Sequence, residues 1–336
     1  MNPNLAFNRR RALKTMFCSS AALALQLRDR NAFAQVANDA THLLAIGDFG
    51  TTGEYQRKVA AAMRSFVAEH KIGPEAMLML GDNFYGEVKG GFSIDSERWR
   101  TVIEDMYPAS DFPGNLWAIL GNHDYHDNID GEMVQLAYAK RGNTRFKMPA
   151  KWYRFEVGSP QPLVSIFAID TNFREISGRK AKPGATSLGY LSKEETAEQL
   201  KWLDEELSKP RAPFTIVMGH HPLYSNGSHG DSGTLIKQLG PLLERHQVHM
   251  YLCGHDHDLQ HLELESRFTS FVISGGGGAR TRRLKNDRVV PFANDVYGFT
   301  HLQVKADALT VTHHGDDGVA LHRFIKYPDG AVTSKA

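Results

Sequence analysis

The chain has little of three things that would place it in a special class of protein. It contains only 2 cysteines among 336 residues, which excludes a small fold held together by disulfide bonds. Its 39 Lys and Arg residues nearly balance 38 Asp and Glu residues, for a formal net charge of +1, so it lacks the basic excess of nucleic-acid-binding proteins. No run approaches the roughly 18 apolar residues of a membrane-spanning helix. We therefore expect no nucleic-acid partner and no stable membrane insertion.

The bulk composition indicates a globular protein. Hydrophobic residues make up 41% of the sequence and charged residues 23%, which excludes disorder and collagen-like structure. A length of 336 residues allows two domains or one large α/β domain, and the lack of a visible linker or repeat favours one. Histidine stands out with 16 residues. Composition leaves open whether these histidines are ligands or scattered surface residues.

The first 34 residues have the pattern of an export signal. A basic stretch at residues 8–14 precedes a short apolar stretch at residues 15–27, and Ala32 and Ala34 form an A-x-A cleavage site before Gln35. A charged start, a short apolar middle and small residues before a cut define a signal peptide. We therefore expect residues 1–34 to be removed on export.

A pair of arginines in this segment, Arg9 and Arg10, resembles the pair that marks twin-arginine signals. The expected partner is the twin-arginine export machinery, and the expected location is the periplasm or the exterior of a bacterium. Cleavage would remove six basic residues and one acidic residue, leaving 302 residues with a formal charge of −4. The remaining domain, residues 35–336, is expected to be a monomer. It keeps one cysteine, Cys253, and needs no disulfide.

Five apolar runs of strand length each end in a glycine that is followed by a polar residue. Continuous short apolar runs are typical of strands that are buried on both faces. The runs cover residues 42–46, 76–80, 116–120, 214–218 and 249–253. The polar residues after the glycines are Asp48, Asp82, Asn122, His220 and His255. Helix-like segments alternate with the strands, at residues 55–70, 96–106, 194–208 and 235–246. This alternation predicts an α/β fold.

Ligands of such sheets bind beyond the carboxyl ends of the strands, so we expect the five polar side chains to converge. After the glycines at residues 275–278, the pattern changes to alternating strands at residues 300–304, 309–313 and 319–325. We expect these later strands to complete a second sheet that packs on the first.

The polar residues at the strand ends, together with two neighbours, form a set that suits metal ions. The set is Asp48, Asp82, Tyr85, Asn122, His220, His255 and His257. Carboxylates, imidazoles and an amide oxygen are ligands of borderline or hard transition metals. The set is too large for one tetrahedral ion, whereas two ions that share a bridging carboxylate would use all of it. Any one of these residues alone is more often a cap, a turn residue or a core histidine, so the prediction rests on their shared position.

Five short blocks resemble those of a known family. They are G-D-F-G (residues 47–50), G-D-N-F-Y (81–85), G-N-H-D (121–124), G-H-H-P (219–222) and G-H-D-H (254–257). In order and content they resemble the metal-binding blocks of the calcineurin-like metallophosphoesterases. Tyr85, three positions after the second aspartate, is the mark of the purple acid phosphatases, and the chain is similar to the small tartrate-resistant form. The resemblance implies a four-layer α/β/β/α sandwich of two packed mixed sheets.

The resemblance also implies how the ligands divide between two ions. The first ion, Fe(III) in the family, would be held by Asp48, Asp82, Tyr85 and His257. The second ion, Fe(II), Zn or Mn, would be held by Asp82, Asn122, His220 and His255. A phenolate with carboxylates stabilises a trivalent ion, whereas an amide and two imidazoles suit a divalent one.

Three further residues are implied as catalytic. His123 would face the phosphate, and His229 matches a second histidine near the leaving group in the mammalian form. Asp124 would orient His123 or a metal-bound histidine. His221 stands where the mammalian form has tyrosine, and its role is left open.

The sequence therefore predicts an exported dinuclear-metal acid phosphatase that hydrolyses small phosphomonoesters by attack of a metal-bound hydroxide. A phosphodiesterase, nucleotidase or phospholipase of the same fold is one alternative, because specificity lies in loops outside the ligand set. A non-catalytic metal-binding or redox protein is an alternative of another class. The basic run at residues 280–285 is interpreted as a solvated loop, and contact with an acidic substrate is the less favoured interpretation.

Overall fold

The computed structural model describes residues 36–37 and 39–335. The predicted signal peptide and its cleavage site lie outside these residues, so export stays a prediction. Within the described part of the chain, every helix is too short or too polar to span a lipid bilayer.

The described residues form strands and helices that alternate through most of the chain. The strands are β1 (Thr41–Ile46), β2 (Ala76–Met79), β3 (Asn115–Ala118), β4 (Phe146–Lys147), β5 (Tyr153–Val157), β6 (Val164–Ala168), β7 (Phe214–Met218), β8 (Met250–Cys253), β9 (Leu259–Leu262), β10 (Ser270–Ser274), β11 (Phe292–Asn294), β12 (Gly298–Lys305), β13 (Ala308–Gly315), β14 (Ala320–Lys326) and β15 (Val332–Lys335). The helices are α1 (Glu54–His70), α2 (Asn122–His126), α3 (Gly131–Ala139), α4 (Arg174–Ser177), α5 (Lys193–Leu207), α6 (Gly233–Gln238) and α7 (Gly240–Arg245), with a π-helical turn at Arg100–Glu104.

The first sheet has eight strands in the order β15-β14-β13-β12-β1-β2-β3-β4. Strands β1 to β4 run parallel to one another, whereas β12 pairs antiparallel with β1, placing Leu43 opposite Leu302. Helix α1 covers one face of this sheet. Its Phe66 ring lies 5.8 Å from the ring of Phe299 and 4.9 Å from that of His301. The apolar face of α1 is thus buried on the outer side of the first sheet.

The second sheet has seven strands in the order β11-β9-β10-β8-β7-β6-β5. Its central strands β6, β7, β8 and β10 are parallel. All five residues of β7 are buried, as expected for a strand that is covered on both faces. Leu203 of α5 and Leu243 of α7 pack in one core cluster with Val217 and Tyr251 of the sheet. Helices therefore cover the outer face of the second sheet as well.

Contacts between the two sheets complete a sandwich of four layers. The backbone N–H of Gly47 donates to the carbonyl of Ser274 at 2.8 Å. The Ser274 hydroxyl donates to the carbonyl of Ala45 at 3.2 Å, and the Thr300 hydroxyl donates to the Ser274 hydroxyl at 2.8 Å. The α/β/β/α fold with two mixed sheets is confirmed.

The prediction for the C-terminal strands is wrong in one respect. Strands β12, β13 and β14 extend the first sheet instead of completing the second. The second sheet is built from β5 to β11, so the five predicted strand ends come from both sheets. Apolar alternation shows that a segment is a strand but does not show its partner. Here β12 covers the edge of β1, which would otherwise be left unpaired.

Two predicted helices also differ from those in the structure. The segment at residues 235–246 forms two short helices, α6 and α7, because Pro241 lacks an N–H and begins a new helix. The segment at residues 96–106 contains the π-helical turn. The prediction for α5 is accurate to one residue. Its start is fixed by a capping box in which the Ser192 hydroxyl accepts from the N–H of Glu195 at 3.1 Å.

Candidate metal centre

Three of the seven predicted ligands have a left-handed backbone shortly after a strand. Asp48 follows β1 with φ 57°, Asp82 follows β2 with φ 53°, and His255 follows β8 with φ 69°. Non-glycine residues rarely adopt this conformation, which costs on the order of 1 kcal/mol each. The N–H of His255 donates to Asp48 Oδ2 at 2.8 Å and joins two of these turns across the sandwich. Three of the nine non-glycine residues with positive φ in the described part of the chain thus lie at the predicted site.

Two of the strand-end glycines are required because the ligand loops touch. A β-carbon on Gly121 would lie 2.2 Å from Asp82 Oδ1, and one on Gly81 would lie 2.6 Å from His220 Nδ1. Both distances are shorter than any van der Waals contact. Gly81 also has φ +89°, which side chains of L-residues rarely allow. A larger residue at either position would push the ligands apart.

A first group of ligand atoms surrounds the hydroxyl of Tyr85. This oxygen lies 2.8 Å from Asp82 Oδ2, 3.2 Å from Asp48 Oδ1 and 3.2 Å from His257 Nε2. Asp48 and Asp82 are buried. Among the described residues, neither carboxylate forms an ion pair with a lysine or arginine; their charged partners are His257 and His220. The structure therefore concentrates negative charge at one buried point.

The Tyr85 hydroxyl does not satisfy this group by itself. It has one proton but faces two carboxylate oxygens and a ring nitrogen. The His257 Nδ1 lies 2.7 Å from the carbonyl of Arg280, which only accepts, so Nδ1 carries a ring proton and Nε2 is the nitrogen that faces the group. A cation between the four atoms would satisfy all of them, and the donor set fits a hard or borderline metal ion.

A second group of ligand atoms surrounds the amide oxygen of Asn122. This oxygen lies 3.2 Å from His220 Nε2 and 3.0 Å from His255 Nδ1. The other nitrogen of His220, Nδ1, lies 2.8 Å from the carbonyl of Leu80, so Nδ1 carries a ring proton and Nε2 is the nitrogen that faces Asn122. A backbone carbonyl that orients the far nitrogen of an imidazole is the usual support of a metal ligand. The second group therefore also fits an ion.

Asp82 connects the two groups. Its Oδ2 accepts from the Tyr85 hydroxyl in the first group, whereas its Oδ1 lies 3.5 Å from His220 Nε2 in the second. Burial favours the protonated form of this carboxyl, but the charges of His220 and His123 outweigh it and lower the pKa of Asp82 to about 2. An ionised carboxylate with one oxygen in each group is arranged as a bridge between two ions.

Burial raises the pKa of Tyr85 well above its usual range, and the charges of Asp82 and Asp48 add to this shift. A bound cation acts in the opposite direction, because it stabilises the phenolate. An ion at this point would therefore favour the ionised form of Tyr85.

His123, one of the predicted catalytic residues, is held by a neighbouring carboxylate. Its Nδ1 lies 2.9 Å from Asp127 Oδ2, and its backbone N–H donates to Asp82 Oδ1 at 2.8 Å. Burial would lower the pKa of His123, but the hydrogen bond to Asp127 and the charge of Asp82 raise it to about 9. The contact with Asp127 fixes the ring so that Nε2 is free for other partners.

Asp124, which was predicted to orient His123 or a metal-bound histidine, forms its hydrogen bonds with two ligand loops and Gln135. The Asp124 carboxylate accepts from the backbone N–H groups of Asn83, Phe84 and Gly121 at 2.8–3.2 Å, and from Gln135 Nε2 at 2.8 Å. Burial and the charge of Asp82 raise the pKa of Asp124 to about 7. Asp124 therefore fixes two ligand loops to each other, and Asp127 is the residue that contacts His123.

His229 is held in the same way by Asp256. The Nδ1 of His229 lies 2.7 Å from Asp256 Oδ1, and the His229 ring packs on the ring of His255 with centroids 4.1 Å apart. Asp256 is buried and also accepts from the backbone N–H of His229 at 3.1 Å. Both predicted catalytic histidines thus share one arrangement, with a carboxylate on Nδ1.

His221 lies beside the second group. Its backbone N–H donates to the Thr171 hydroxyl at 2.9 Å, and that hydroxyl lies 2.8 Å from His221 Nδ1. A hydroxyl that accepts from the backbone can donate its proton to Nδ1, which makes Nε2 the protonated nitrogen. Burial and the charge of His220 lower the pKa of His221 well below its usual range. The ring is therefore neutral and offers an N–H donor.

These side chains open onto one cavity of about 260 Å³. His123, His221 and His229 line it together with four predicted ligands, Asp82, Asn122, His255 and His257. Two arginines, Arg179 and Arg282, also line it. The cavity brings the predicted ligands and both predicted catalytic histidines to one substrate-sized space.

Sequence reasoning missed three supporting residues. Asp256 stands between two predicted ligands in G-H-D-H, a position that pointed to the site. Asp127 lies four residues after His123, the spacing at which helical side chains meet. Thr171 follows β6, a strand that was not predicted, so no signal pointed to it.

Comparisons with known proteins identify the family of this chain. Residues 41–259 match the calcineurin-like phosphoesterase family. The chain is 31% identical to the Homo sapiens tartrate-resistant acid phosphatase type 5 over 326 residues, covering 90% of this chain and 96% of the human protein. It is 25% identical to Arabidopsis thaliana purple acid phosphatase 7, covering 92% of this chain and 93% of that protein.

Solved structures share the fold. The purple acid phosphatase PPD1 from yellow lupin (Lupinus luteus) superposes with a TM-score of 0.63 at 15% identity, covering 87% of this chain and 54% of that one. The Plasmodium protein GAP50, an anchor in the inner membrane complex, superposes with a TM-score of 0.69 at 22% identity, covering 83% and 86%. Together with the sequence matches, these findings show that the chain belongs to the calcineurin-like phosphoesterase family and, within it, to the dimetal phosphoric ester hydrolases of the purple acid phosphatase type.

Proposed function

We propose that the protein is an exported acid phosphatase that hydrolyses small phosphomonoesters with two metal ions. The observation that carries the proposal is the pair of ligand groups joined by Asp82, which open onto a cavity with His123 and His229. The arrangement supports phosphoester hydrolysis over a storage or redox role, because both histidines are oriented towards the cavity by carboxylates.

The ligand assignment follows the two groups of atoms. The first ion would be held by Asp48, Asp82, Tyr85 and His257, and the phenol favours Fe(III) there. The second, Fe(II), Zn or Mn, would be held by Asp82, Asn122, His220 and His255. When bound, two such ions neutralise phosphoryl oxygens and make a coordinated water acidic enough to act as the nucleophile.

The remaining chemistry belongs to this chain's histidines. With a pKa near 9, His123 is protonated at mildly acidic pH and can donate a hydrogen bond from Nε2 to a phosphoryl oxygen. His229 also lines the cavity, where its Nε2 can give a proton to the departing alkoxide. The neutral His221 offers a third donor. Asp127 and Asp256 keep the first two rings in the orientation that this requires.

Export by the twin-arginine route to the periplasm or the exterior is part of the proposal. It is supported by the basic and apolar segments of residues 8–27 and the A-x-A site before Gln35. A route for already folded proteins suits a site whose ligands come from both sheets.

A substrate panel tests the proposed reaction. The metal-loaded protein is assayed with a phosphomonoester, a phosphodiester and a phospholipid head group that share a leaving group. We expect kcat/KM to be highest for the monoester and the optimum to lie at acidic pH. A higher kcat/KM for the diester or the lipid would replace the proposal with the corresponding alternative, and inactivity of fully loaded protein would refute it.

A further inference from the structure

The cavity is lined by positive charge that the phosphatase site itself does not use. Arg282 comes from the loop after β10, and its guanidinium Nη1 lies 3.5 Å from His229 Nε2. The His229 ring packs on the predicted ligand His255, and the charge of Arg282 also acts on the predicted ligand His257. Arg282 is half-buried, so it borders the cavity more closely than its exposed neighbour Arg283.

Arg179 lies on another wall of the cavity. It follows α4, two residues after Ser177, whose hydroxyl lies 2.9 Å from Nε2 of His126. His126 belongs to α2, the helix that also carries His123. Arg179 therefore approaches the cavity from the His123 side, whereas Arg282 approaches it from the His229 side.

Neither arginine is neutralised by the described part of the protein. In residues 36–37 and 39–335, no carboxylate forms an ion pair with Arg179 or Arg282. By contrast, Arg288 in the same loop as Arg282 pairs with Asp231 at 2.6 Å. The carboxylate nearest the cavity floor, Asp82, is already shared by the two ligand groups. The two guanidinium groups are thus available to an anionic ligand.

We propose that Arg179 and Arg282 form a subsite for a second anionic group, a carboxylate or another phosphate, on the leaving part of the substrate. The proposal rests on the proposed phosphatase function. The phosphoryl group that is cleaved would bind on the floor of the cavity among the ligands and His123. Arginine binds carboxylate and phosphate groups through paired N–H donors, so either anion can bind to the two guanidinium groups. The preferred substrates are small phosphomonoesters whose leaving groups carry negative charge.

Matched substrates test the subsite. One pair is 1,3-propanediol monophosphate and its bisphosphate, and the other is glycerol 2-phosphate and 2-phosphoglycerate. For each pair, the ratio of kcat/KM for the charged leaving group to that for the uncharged one measures the preference, after kcat/KM of the bisphosphate is divided by two for its two equivalent phosphates. We expect the wild-type ratio to exceed one, mainly through a lower KM, and to fall as salt is added, because exposed charges are screened.

Substitution assigns the preference to the two residues. We expect Arg179→Gln and Arg282→Gln each to lower the ratio by roughly five- to tenfold, the size of one charged hydrogen bond at a partly exposed site, and the double variant to lower it further. Arg174→Gln and Arg283→Gln are the matched controls, since both residues are exposed and do not line the cavity. Neither control should change the ratio. The two pairs of substrates show whether carboxylate or phosphate is preferred.

Two outcomes overturn the proposal. A wild-type ratio of one or less contradicts it. A ratio that is the same in the double variant as in the wild type also contradicts it, even if kcat/KM for the individual substrates changes. Thermal unfolding and metal content of each variant show that it is folded and loaded. Failure of the wild-type protein to hydrolyse 1,3-propanediol monophosphate refutes the phosphatase function itself, and the two failures are thereby separated.

Discussion

Two regions of the molecule are rich in buried histidine, and only one of them is arranged for metal binding. In the ligand groups, the imidazoles of His220 and His257 face carboxylates and a phenol while backbone carbonyls hold their far nitrogens. In the C-terminal strands, the histidines face each other and aromatic rings. His314 of β13 stacks on Phe299 with centroids 5.0 Å apart, and His261 of β9 in the second sheet stacks on Phe324 of β14 at 3.6 Å.

Histidines of the C-terminal strands also form hydrogen-bonded pairs with histidines of β1 and β9. His42 Nδ1 lies 3.0 Å from His301 Nε2, and His261 Nδ1 lies 2.9 Å from His322 Nε2. The described groups whose ligand atoms lie within 4.8 Å of one another include none of these four residues. Burial of a histidine therefore does not distinguish a ligand from a core residue. What distinguishes the ligands is that carboxylates lie at the same strand ends and that glycines let the ligand loops touch.

The largest effect is expected from substitution of Asp82, the carboxylate that joins the two ligand groups. We expect Asp82→Asn to reduce kcat by roughly a thousandfold or more, because the ions supply several kcal/mol of charge stabilisation and each 1.4 kcal/mol is tenfold in rate. Metal content should fall in parallel. The matched variant His322→Gln removes a buried histidine of the C-terminal strands and should keep its metals and its activity. Equal losses in the two variants would remove the distinction between the regions.

A smaller effect is expected at the carboxylate that holds His123. Asp127→Asn should lower kcat by roughly tenfold to a hundredfold, as loss of an orienting partner usually does. The pKa of His123, about 9, depends on this carboxylate. Without it the ring loses its proton at lower pH, so the alkaline limb of the kcat profile should move to lower pH.

The control for Asp127 is Asp105→Asn, which removes an exposed carboxylate paired with Arg100. It should leave both kcat and the pH profile unchanged. A lower kcat in Asp127→Asn with no movement of the alkaline limb would show that Asp127 acts only through local stability.

The smallest effect concerns stability in the C-terminal strands. His314 is buried, and burial lowers its pKa to about 4, whereas an unfolded histidine has a pKa near 6.5. Between these values the unfolded chain binds the proton more readily, so the free energy of unfolding falls as the pH falls through this window. From these pKa values, His314 alone should cost about 2 kcal/mol between pH 7.5 and 5.

Urea unfolding at the two pH values measures this contribution. His314→Asn keeps a donor near the carbonyl of Gly318, which His314 Nδ1 contacts at 3.0 Å, but does not titrate. Its stability should therefore depend less on pH than that of the wild type. The same pH dependence in both proteins would show that His314 is not the group that titrates.

Much of the site was predictable because its pattern is local. An apolar run, a glycine and a polar residue stand together in the sequence at Asp48, Asp82, Asn122, His220 and His255, and the structure brings all five to one place. The requirement for glycine at residues 81 and 121 has a steric cause that a single sequence does not display, namely the contact between neighbouring ligand loops.

The residues that orient the site were less predictable because their contacts are long-range. Asp127 accepts from the N–H of Gly86, 41 residues earlier, and Thr171 contacts His221 across 50 residues. The sheet to which β12 belongs was hard to predict for the same reason, since its partner β1 lies at the other end of the chain. Local pattern predicts that these segments exist, whereas their pairing depends on how the whole core packs.

The central claim is that two ions share the ligand groups joined by Asp82 and that Tyr85 binds one of them as phenolate. Metal analysis combined with visible absorption tests it directly, on the wild type and on Tyr85→Phe. The account predicts two ions per wild-type chain, at least one of them iron, and a purple or pink tyrosinate-to-iron band that is absent in Tyr85→Phe. An active wild type without iron, or a band that persists in Tyr85→Phe, would contradict it.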